Sequence, residues 1–582
     1  MTRTSLCCLL VLSLSCTGGG TYDSGDGPAT LGAGFLDLSI SSEGVPGVAL
    51  QEIEDVGPAG RAGLQNGDRL ETFDGQPVAG ICEVEQALAG MKPGQEVRVT
   101  VRRDSESLEE TVRLADAVGL YTRSCEEGRV AGCRRLGLLH LAGQGAAADA
   151  GRAAELFIQA CDGGDAQACA ELSLLYLDGS GVAKDEARAR DLARRACEAD
   201  NAEGCSHLGF MYATGRGGAR DDTAATSFYR RGCEGGNAPG CYNVGLMYNQ
   251  GRSGSTAENL TLALVSYRRA CDGGSSLACT NLGYLYENGI GAPLDPAMAA
   301  GFYRRGCEGG ACQPGDPTGC FNLGILSREG RGIPPDKPQA ASLFERSCDA
   351  GQAVGCANFA DLLAAGDGVP KDEKRAVDLF RKACDGGHTR SCRNLLILRR
   401  DEADSKEKTE VAAKFRTACD ADDAEACHEL AVLYNDGAGV PQDLARAMKL
   451  YDKACQGGEP RGCVDLGVMY ATGNGVGEDD ARAADLYQKA CDAGLGRGCY
   501  NLAAGYEDGS GGLPLDPYRA AELYQKGCDA EDTLACVNLG VMYEEGSGVF
   551  QDEARALALY RRACDGDEEL GCSNLQRLTG PP

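Results

Sequence analysis

From about residue 117 to the end of the chain, apolar positions recur at the three- and four-residue spacing of amphipathic helices. In one clear unit, Leu539, Met542 and Tyr543 fall on one face of a first helix. Apolar positions within Ala556–Ala563 follow the spacing i, i+3, i+4, i+7 on a second helix. The pattern therefore predicts a series of helix pairs.

Turn signals separate the two helices of each pair. Gly546 is placed to end the first helix and Asp552 to cap the start of the second. Gly540 is small where two helices would cross closely. Segments such as Gly179-Ser180-Gly181 follow helices rather than strands, so they predict inter-helix turns and not phosphate-binding loops.

Paired cysteines mark the joints between helix pairs. A cysteine ends one helix-like segment thirteen times and is paired with a second cysteine that begins the next; the two are eight positions apart in every pair except one, where they are thirteen apart. The first members recur every 35 to 41 residues, which is typical of stacked repeats rather than one globular core. The pairs are Cys125 with Cys133, Cys161 with Cys169, Cys197 with Cys205, Cys233 with Cys241, Cys271 with Cys279, Cys307 with Cys320, Cys348 with Cys356, Cys384 with Cys392, Cys419 with Cys427, Cys455 with Cys463, Cys491 with Cys499, Cys528 with Cys536 and Cys564 with Cys572.

The eight-residue spacing favours disulfide bonds over metal binding. Zinc ligands are usually separated by about two to four residues and often include histidine, whereas this chain has only four histidines. On one unbroken helix the two Cα atoms would lie about 12 Å apart, and a disulfide needs less than about 7 Å. The helix must therefore break between them, at segments such as Asp272-Gly273-Gly274. Each bridge would contribute about 2–3 kcal/mol.

Before the repeats, the apolar spacing changes from helical to alternating, which predicts short β-strands. The segments with this alternation are Phe35–Ile40, Val48–Ile53, Glu96–Val101 and Glu110–Leu114. A helix-like piece, Cys82–Ala89, lies among them.

Four glycine-containing motifs lie in residues 31–116: Gly32–Phe35, Gly57–Leu64, Gly67–Leu70 and Asp74–Val78. By these motifs the segment resembles a PDZ domain. The resemblance implies that backbone N–H groups of the first motif approach a peptide C-terminus and that the peptide adds to the sheet as a strand. The peptide-binding residues implied are Gly32, Ala33, Gly34, Phe35, Val84 and Leu88.

Residues 117–582 resemble Sel1-like repeats, which are relatives of tetratricopeptide repeats, and in particular the cysteine-rich variety of the Helicobacter cysteine-rich proteins. The motifs are Asn538-Leu539-Gly540, Gly546–Val549, Asp552 and Ala563-Cys564, with counterparts in the other units. The resemblance implies a mainly α fold, an α/α solenoid stapled by disulfides. About twelve complete repeats with terminal half-repeats would follow the small, mostly β PDZ-like domain. The stretch Arg399–Glu410 departs from the pattern because it lacks the glycine loop.

The N-terminus looks like an export signal. A basic residue is followed by the apolar run Leu6–Leu14, which is too short to span a bilayer permanently. The following Ser15-Cys16 completes a sequence that resembles a bacterial lipoprotein cleavage box. Residues 1–15 would then be the signal peptide, Cys16 the lipidation site and residues 16–30 a flexible tether. Ordinary secretion is the alternative.

The cysteine count agrees with export. The chain has 31 cysteines, and disulfides belong to oxidising compartments. After Cys7, Cys8 and Cys16 are set aside, thirteen pairs leave Cys82 and Cys312, for which we expect buried or idle thiols. The predicted location is the bacterial cell envelope, as an outer-membrane lipoprotein facing the periplasm or the exterior, or otherwise the secreted state.

The net charge of the chain limits the classes of partner that we expect. The chain carries 57 basic and 86 acidic residues, a net charge of −29, which repels phosphate backbones and anionic lipids. We therefore expect proteins or peptide segments as partners, no nucleic acid and no membrane contact beyond the lipid anchor. We expect no catalytic residue, metal or cofactor.

Two alternatives stay open. Some cysteine-rich Sel1-like relatives are described as binding penicillin or hydrolysing β-lactams, so a weak activity of that kind is the enzymatic alternative. The Ser405–Lys408 segment has serine-x-x-lysine spacing, but it lies in a run of charges without companion motifs, which predicts a solvated turn. His207 and His428 are expected to be structural. The other alternative is an envelope protein that contacts peptidoglycan.

Overall fold

The computed structural model describes residues 29–30, 34–38, 47–51, 58–65, 67–78, 84, 87, 91, 94–104, 106–144, 147–252, 257–309, 315–399 and 405–580. The chain divides into two compact units, Met1–Ala350 and Gly351–Pro582, and each is described by itself. The predicted signal peptide, Cys16, Cys82 and Cys312 lie outside the described residues.

The first unit begins with an antiparallel sheet. Its strands run in the order β2-β3-β4-β6-β7, with β5 paired to β4, and β1 and β8 form a separate pair. Apolar and polar residues alternate along β6, so that one face of the sheet forms the core of this domain. Val97, Val99 and Val101 are fully buried, while Glu96 and Arg98 are exposed. The described elements are β1 Ala29–Thr30, β2 Gly34–Leu38, β3 Gly47–Gln51, α1 Pro58–Arg61, β4 Arg69–Phe73, β5 Gln76–Pro77, β6 Glu96–Arg103, β7 Glu106–Arg113 and β8 Ala115–Asp116.

Helices occupy the rest of the first unit, and consecutive ones pack against each other in the order of the chain. They are α2 Ala117–Glu126, α3 Val130–Ala142, α4 Ala150–Asp162, α5 Ala166–Asp178, α6 Glu186–Glu198, α7 Ala202–Thr214, α8 Asp222–Glu234, α9 Ala238–Asn249, α10 Ala257–Asp272, α11 Ser276–Asn288, α12 Pro296–Glu308, α13 Pro317–Glu329 and α14 Lys337–Asp349.

The second unit is described entirely as helices joined by short loops. They are α15 Ala353–Ala365, α16 Glu373–Asp385, α17 Thr389–Leu398, α18 Ser405–Asp420, α19 Ala424–Asp436, α20 Leu444–Gln456, α21 Pro460–Thr472, α22 Asp480–Asp492, α23 Gly496–Asp508, α24 Pro517–Asp529, α25 Thr533–Glu545, α26 Glu553–Asp565 and α27 Glu569–Thr579. The mainly α prediction, with a small β module in front, is confirmed.

The turn chemistry inside a repeat is as predicted. Gly546 ends α25 in the left-handed conformation, with φ of 75°. Asp552 caps α26, where its carboxylate accepts a hydrogen bond from the backbone N–H of Arg555 at 3.0 Å. A Cβ on Gly548 would lie only 2.1 Å from the carbonyl oxygen of Pro517, so this loop must be glycine to pass the preceding repeat.

The glycine of the Asn-Leu-Gly motif makes room for an aromatic ring. A Cβ on Gly540 would lie 2.6 Å from the ring of Tyr560, and one on Gly283 would lie 2.6 Å from the ring of Tyr303. Both rings are fully buried. The motif therefore sets how closely the two helices of a repeat approach.

The predicted disulfide bonds are present between successive helices. Twelve of the expected pairs are bonded, with Cα–Cα distances of 4.4 to 4.7 Å. The bonded pairs are Cys125 with Cys133, Cys161 with Cys169, Cys197 with Cys205, Cys233 with Cys241, Cys271 with Cys279, Cys307 with Cys320, Cys384 with Cys392, Cys419 with Cys427, Cys455 with Cys463, Cys491 with Cys499, Cys528 with Cys536 and Cys564 with Cys572.

The helix breaks between the two cysteines of a pair, as expected. Helix α10 ends at Asp272, and Gly274 takes a φ of 88° before α11 begins. Cys348 and Cys356 are also disulfide-bonded cysteines, and their pairing with each other stays a prediction.

A basic side chain adds a second tie between successive repeats. Arg231 Nη2 donates to the carbonyl oxygen of Cys197 at 2.9 Å, and Lys453 Nζ donates to that of Cys419 at 2.6 Å. The last carbonyls of a helix lack partners within the helix, and a cation there also opposes the negative end of the helix dipole. Each such contact therefore links one repeat to the cysteine of the repeat before it.

One repeat differs from the rest, as its missing glycine loop predicts. Helix α17 has 10 residues where most repeat helices have 13, and Arg399, which follows its last residue, has φ of −109° rather than a left-handed value. Ile397 and Leu398, at the end of this short helix, are exposed. Among the described residues, every helix is too short or too polar to cross a bilayer.

Candidate protein-binding sites

The first candidate site is the free side of strand β2. In the described sheet β2 stands at the end of the strand order and pairs only with β3, in a register that places Phe35 opposite Leu50. An end strand offers unpaired backbone N–H and C=O groups to an incoming strand. This edge is therefore suited to binding an extended peptide.

The predicted peptide-binding residues are only partly described. Gly34 and Phe35 lie in β2, opposite Gln51 and Leu50 of β3. Val84 is fully buried in the core of this domain, among residues such as Leu50. Its part in peptide binding stays a prediction, as do those of three residues outside the described part of the chain, Gly32, Ala33 and Leu88.

The second candidate site is a pocket of about 510 Å³ in the second unit. Its walls come from α17, α19, α21 and the start of α23, which are the first helices of successive repeats, with Phe415 of α18 at its base. The floor of the pocket is formed by apolar side chains, and the exposed Ile397 stands at its edge. The floor residues are Leu396, Phe415, Val432, Leu433 and Val464. The lining residues are Arg393, Leu396, Ile397, Phe415, His428, Glu429, Val432, Leu433, Arg461, Val464, Asp465, Leu495 and Arg497.

An ion-pair network crosses this pocket. Arg461 contacts three carboxylates: Glu459 at 2.8 Å, Glu429 at 3.0 Å and Glu425 at 3.4 Å. Glu429 also lies 3.6 Å from the Nε of Arg393. The contacts join helices of consecutive repeats, so the network holds the walls in place.

His428 sits at the centre of the network. Its Nε2 lies 2.8 Å from Asp465 and its Nδ1 lies 3.4 Å from Glu429. Burial alone would lower the pKa of His428, but the hydrogen bond to Asp465 and the nearby carboxylate of Glu429 outweigh it and raise the pKa above 6.5. Burial likewise favours a higher pKa for Glu429, yet His428, Arg393 and Arg461 hold that pKa below its usual value of 4.5.

The first unit contains a contrasting cluster on α5 and α7. Gln167 Nε2 donates to Glu203 at 2.6 Å and to Glu171 at 3.2 Å, so one amide bridges two carboxyl groups. Glu171 is buried, and burial together with the nearby Glu203 raises its pKa to about 8. Glu171 is therefore largely protonated at neutral pH.

The same cluster includes a serine beside a histidine, a pairing also found in hydrolases. The Oγ of Ser173 lies 3.5 Å from Nδ1 of His207, whose Nε2 lies 3.7 Å from Glu203. Ser173 is fully buried, and its hydroxyl donates to the carbonyl oxygen of Ala170 at 2.7 Å. Burial also lowers the pKa of His207, so the group packs as a neutral imidazole and no substrate can reach the serine.

The repeat pattern contains a signal for both clusters. Two positions after the helix-start cysteine most repeats carry asparagine, as at Asn281 and Asn538. At this position the first cluster has Glu171 and His207, and the pocket has Glu429 and Asp465. Comparison of the repeats at this one position would have located both sites.

The first lysine of the serine-x-x-lysine segment is exposed. Ser405 begins α18, and the side chain of Lys406, the next residue, is 82% exposed and pairs with Glu410 at 3.8 Å. Within the described residues, no group of three or more His, Cys, Asp or Glu side chains could hold a metal ion.

Comparison with known families decides the identity of the repeats. The Sel1 repeat model matches eleven segments, which together cover more than half of the chain. The chain is a Sel1 repeat protein. Its matched segments are 130–165, 166–201, 202–237, 238–275, 276–310, 317–352, 353–388, 424–459, 460–495, 496–532 and 533–568.

The N-terminal module also matches a family. The PDZ domain model matches residues 29–114 of the Sel1 repeat protein, so the resemblance noted in the sequence is confirmed. PDZ domains and Sel1 repeats typically mediate protein–protein interactions. A comparison with curated proteins gave no match.

Comparison with solved structures gives the repeat fold through one neighbour with a TM-score above 0.5, and two further neighbours are similar in sequence. A protective antigen of uropathogenic Escherichia coli with an SLR fold has 24% identity and a TM-score of 0.56, covering 79% of this chain and 89% of its own. Helicobacter pylori cysteine rich protein B has 30% identity over 23% of this chain and 96% of its own, with a TM-score of 0.20. A Sel1 repeat protein from Oxalobacter formigenes has 23% identity over 60% of this chain and 89% of its own, with a TM-score of 0.34.

Proposed function

We propose that this Sel1 repeat protein is an exported, lipid-anchored scaffold that binds segments of other proteins. The PDZ domain would bind an extended C-terminal segment along β2, and the first helices of the repeats would provide further contacts. The observation that carries the proposal is the position of β2 at the end of the sheet, paired on one side with β3 among the described strands.

Export is supported by the number of bonded cysteines. Among the described residues, twenty-six cysteines are disulfide-bonded, and such a density is typical of proteins in oxidising compartments. Lipidation at Cys16 would hold the scaffold at a membrane of the bacterial envelope. Labelling with radioactive palmitate in a bacterial host tests this part: wild type should take up label and Cys16→Ser should not, whereas equal labelling would contradict the anchor.

Peptide capture at β2 can be tested with the full chain. The probe is an immobilised library of peptides with free C-termini, beside the same library with amidated C-termini. We expect wild type to enrich peptides from the free-carboxylate library only. Gly34→Glu should abolish enrichment, because it places a side chain and a negative charge at the start of the binding strand.

The matched control is Gln76→Glu, which adds the same charge at an exposed position of β5. Circular dichroism should show unchanged helix content in both variants, since neither residue lies in the repeats. If Gly34→Glu enriches the same peptides as wild type, β2 is not the binding strand.

A further inference from the structure

The pocket between α17, α19, α21 and α23 has the size of a ligand site. Its volume of about 510 Å³ falls within the range of roughly 300–1,000 Å³ seen for such sites. The pocket lies beside the shortened helix α17, whose end leaves Ile397 57% exposed next to the floor residues Leu396 and Leu433. The floor is suited to a bulky apolar side chain.

Around this floor, two arginine side chains are more exposed to solvent than the carboxylates with which they pair. The side chains of Arg393 and Arg497, on opposite walls, are 41% and 47% exposed. Of the carboxylates that pair with the network, Glu429 is 11% exposed and Asp532 is 8% exposed. A ligand that enters the pocket therefore meets guanidinium groups before it meets most of the carboxylates.

The three other carboxylates of the network are no more exposed than Arg393 and Arg497. Glu459 is 16% exposed and is occupied by Arg461, and Glu425 is 26% exposed between Arg461 and Arg390. Asp465 is the most exposed of these acids, at 40%, and it accepts from His428. The chain as a whole has a net charge of −29, whereas the most exposed charged side chains of this pocket are the arginines Arg393 and Arg497. The local charge at the pocket entrance is therefore opposite in sign to that of the chain.

We propose that this pocket binds an acidic segment of a partner protein, with a bulky apolar side chain on the floor and carboxylates against Arg393 and Arg497. Guanidinium groups form strong, often bidentate, hydrogen bonds with carboxylates. The proposal rests on the proposed function as a scaffold and specifies one class of partner. A protein segment fits better than a simple anion because the floor is apolar.

Binding of synthetic peptides to the oxidised full chain tests the proposal. The probe is a fluorescein-labelled peptide, Glu-Asp-Leu-Phe-Asp-Glu, measured by fluorescence anisotropy. One companion peptide has lysine in place of every acidic residue, and another has Ser-Gly in place of Leu-Phe. We expect the acidic apolar peptide to bind at least about tenfold more tightly than either companion.

Arginine variants then locate the binding. Arg393→Glu and Arg497→Glu should each weaken binding of the acidic peptide by about tenfold or more, since each removes a charge-assisted contact and adds repulsion. The matched control is Arg519→Glu, which makes the same charge change at a side chain that is also 41% exposed but lies on α24 outside the pocket. It should leave the affinity unchanged.

The apolar contact is tested by Ile397→Asp, which puts a charge at the edge of the floor and should remove the preference for Leu-Phe over Ser-Gly. Arg393→Gln and Arg497→Gln give milder variants in case the glutamate variants fail to fold. The proposal is overturned if the lysine peptide binds as well as the acidic one, or if the arginine variants match Arg519→Glu. It is also overturned if free phenylacetate competes as strongly as the peptide, because a small anion would then be sufficient.

The result separates this site from the proposed function. If the acidic peptide fails to bind while free-carboxylate peptides are still enriched through β2, the pocket assignment is wrong and the scaffold function stands. If neither probe binds, both proposals fail.

Discussion

Glu171 and Glu429 occupy the same position in their repeats, two residues after the helix-start cysteine, yet their pKa values shift in opposite directions. Glu171 faces the carboxyl group of Glu203 through one shared amide. Glu429 faces two arginines and a histidine. The fold supplies the same backbone position in both cases, so the residues contributed by the neighbouring repeats decide the chemistry.

The two histidines repeat the contrast. His207 is buried with a weak carboxylate contact at 3.7 Å, and its pKa is lowered. His428 has a hydrogen-bonded carboxylate at 2.8 Å, and its pKa is raised. A repeat protein can therefore place a buried cluster around Glu171 and His207 and a charged open pocket around His428 and Glu429 on one scaffold by changing a few side chains.

The largest expected effect comes from breaking the charged network. Arg461→Met would leave Glu425, Glu429 and Glu459 without their shared partner and should lower the local opening free energy of α21 by roughly 2–3 kcal/mol. Native-state hydrogen exchange of α21 measures this. Arg482→Met, at a 64% exposed side chain, is the control and should cost less than about 0.5 kcal/mol. Equal losses would show that the network adds nothing.

Next in size is the effect of Glu171→Gln. Because the pKa of Glu171 in the folded protein, about 8, exceeds its usual 4.5, the cost of ionising it is absent below that usual value and grows as the pH rises towards 8. The variant should therefore stabilise α5 by roughly 2 kcal/mol at pH 6, which lies about 1.5 units above the usual pKa at about 1.4 kcal/mol per unit, and should have no effect at pH 4. Hydrogen exchange of α5, corrected for intrinsic rates, measures both. A stabilisation that does not depend on pH would contradict the assignment.

A glutamine at the equivalent position of the other repeat, Glu429→Gln, should destabilise the protein, whereas Glu171→Gln stabilises it. Glu429→Gln removes a carboxylate whose pKa is held below 4.5, so its stabilising effect is present above that value and is lost as the pH falls through the folded pKa. We expect a loss of about 1–2 kcal/mol for α19 at pH 7, shrinking in acid. A gain in stability at pH 7 would mean that both glutamates behave alike.

The smallest effect is a difference between two titrations. The midpoint of His428 should lie above 6.5, and that of His207 below it. Exchange of the imidazole C2 hydrogen, followed by mass spectrometry across a pH series, reports each histidine separately. In Asp465→Asn the midpoint of His428 should fall while that of His207 stays the same; coincident midpoints in wild type would remove the contrast.

The features that could be predicted from sequence are those that act within one repeat. Gly546 and Asp552 end and begin helices through their own backbone and side-chain chemistry, and the structure places both as expected. The disulfides were predictable because the two cysteines of a pair are close in sequence and the break between them is marked by glycine in most pairs. The buried tyrosines follow from helical spacing in the same way.

The pocket could not be predicted, because it needs side chains from several repeats. The pocket residues lie on four helices, and successive ones are more than thirty residues apart in the sequence: Arg393, His428, Arg461 and Arg497. Helical spacing says nothing about how their side chains meet. The sequence showed no carboxylate recurring with the histidines, but the structure pairs His428 with Asp465 of the next repeat. The only local clue was the missing asparagine at one repeat position.

Pairing between consecutive cysteines has a consequence for biosynthesis. A chain emerges from its N-terminus, so from Cys125 onward each bonded cysteine except one meets its correct partner before any other thiol of the array appears. Oxidation in order of synthesis then yields the native bonds without an isomerase, whatever the number of wrong combinations. The exception is the joint between Cys307 and Cys320, where Cys312 arrives first, and there the maturing molecule would depend on thiol exchange.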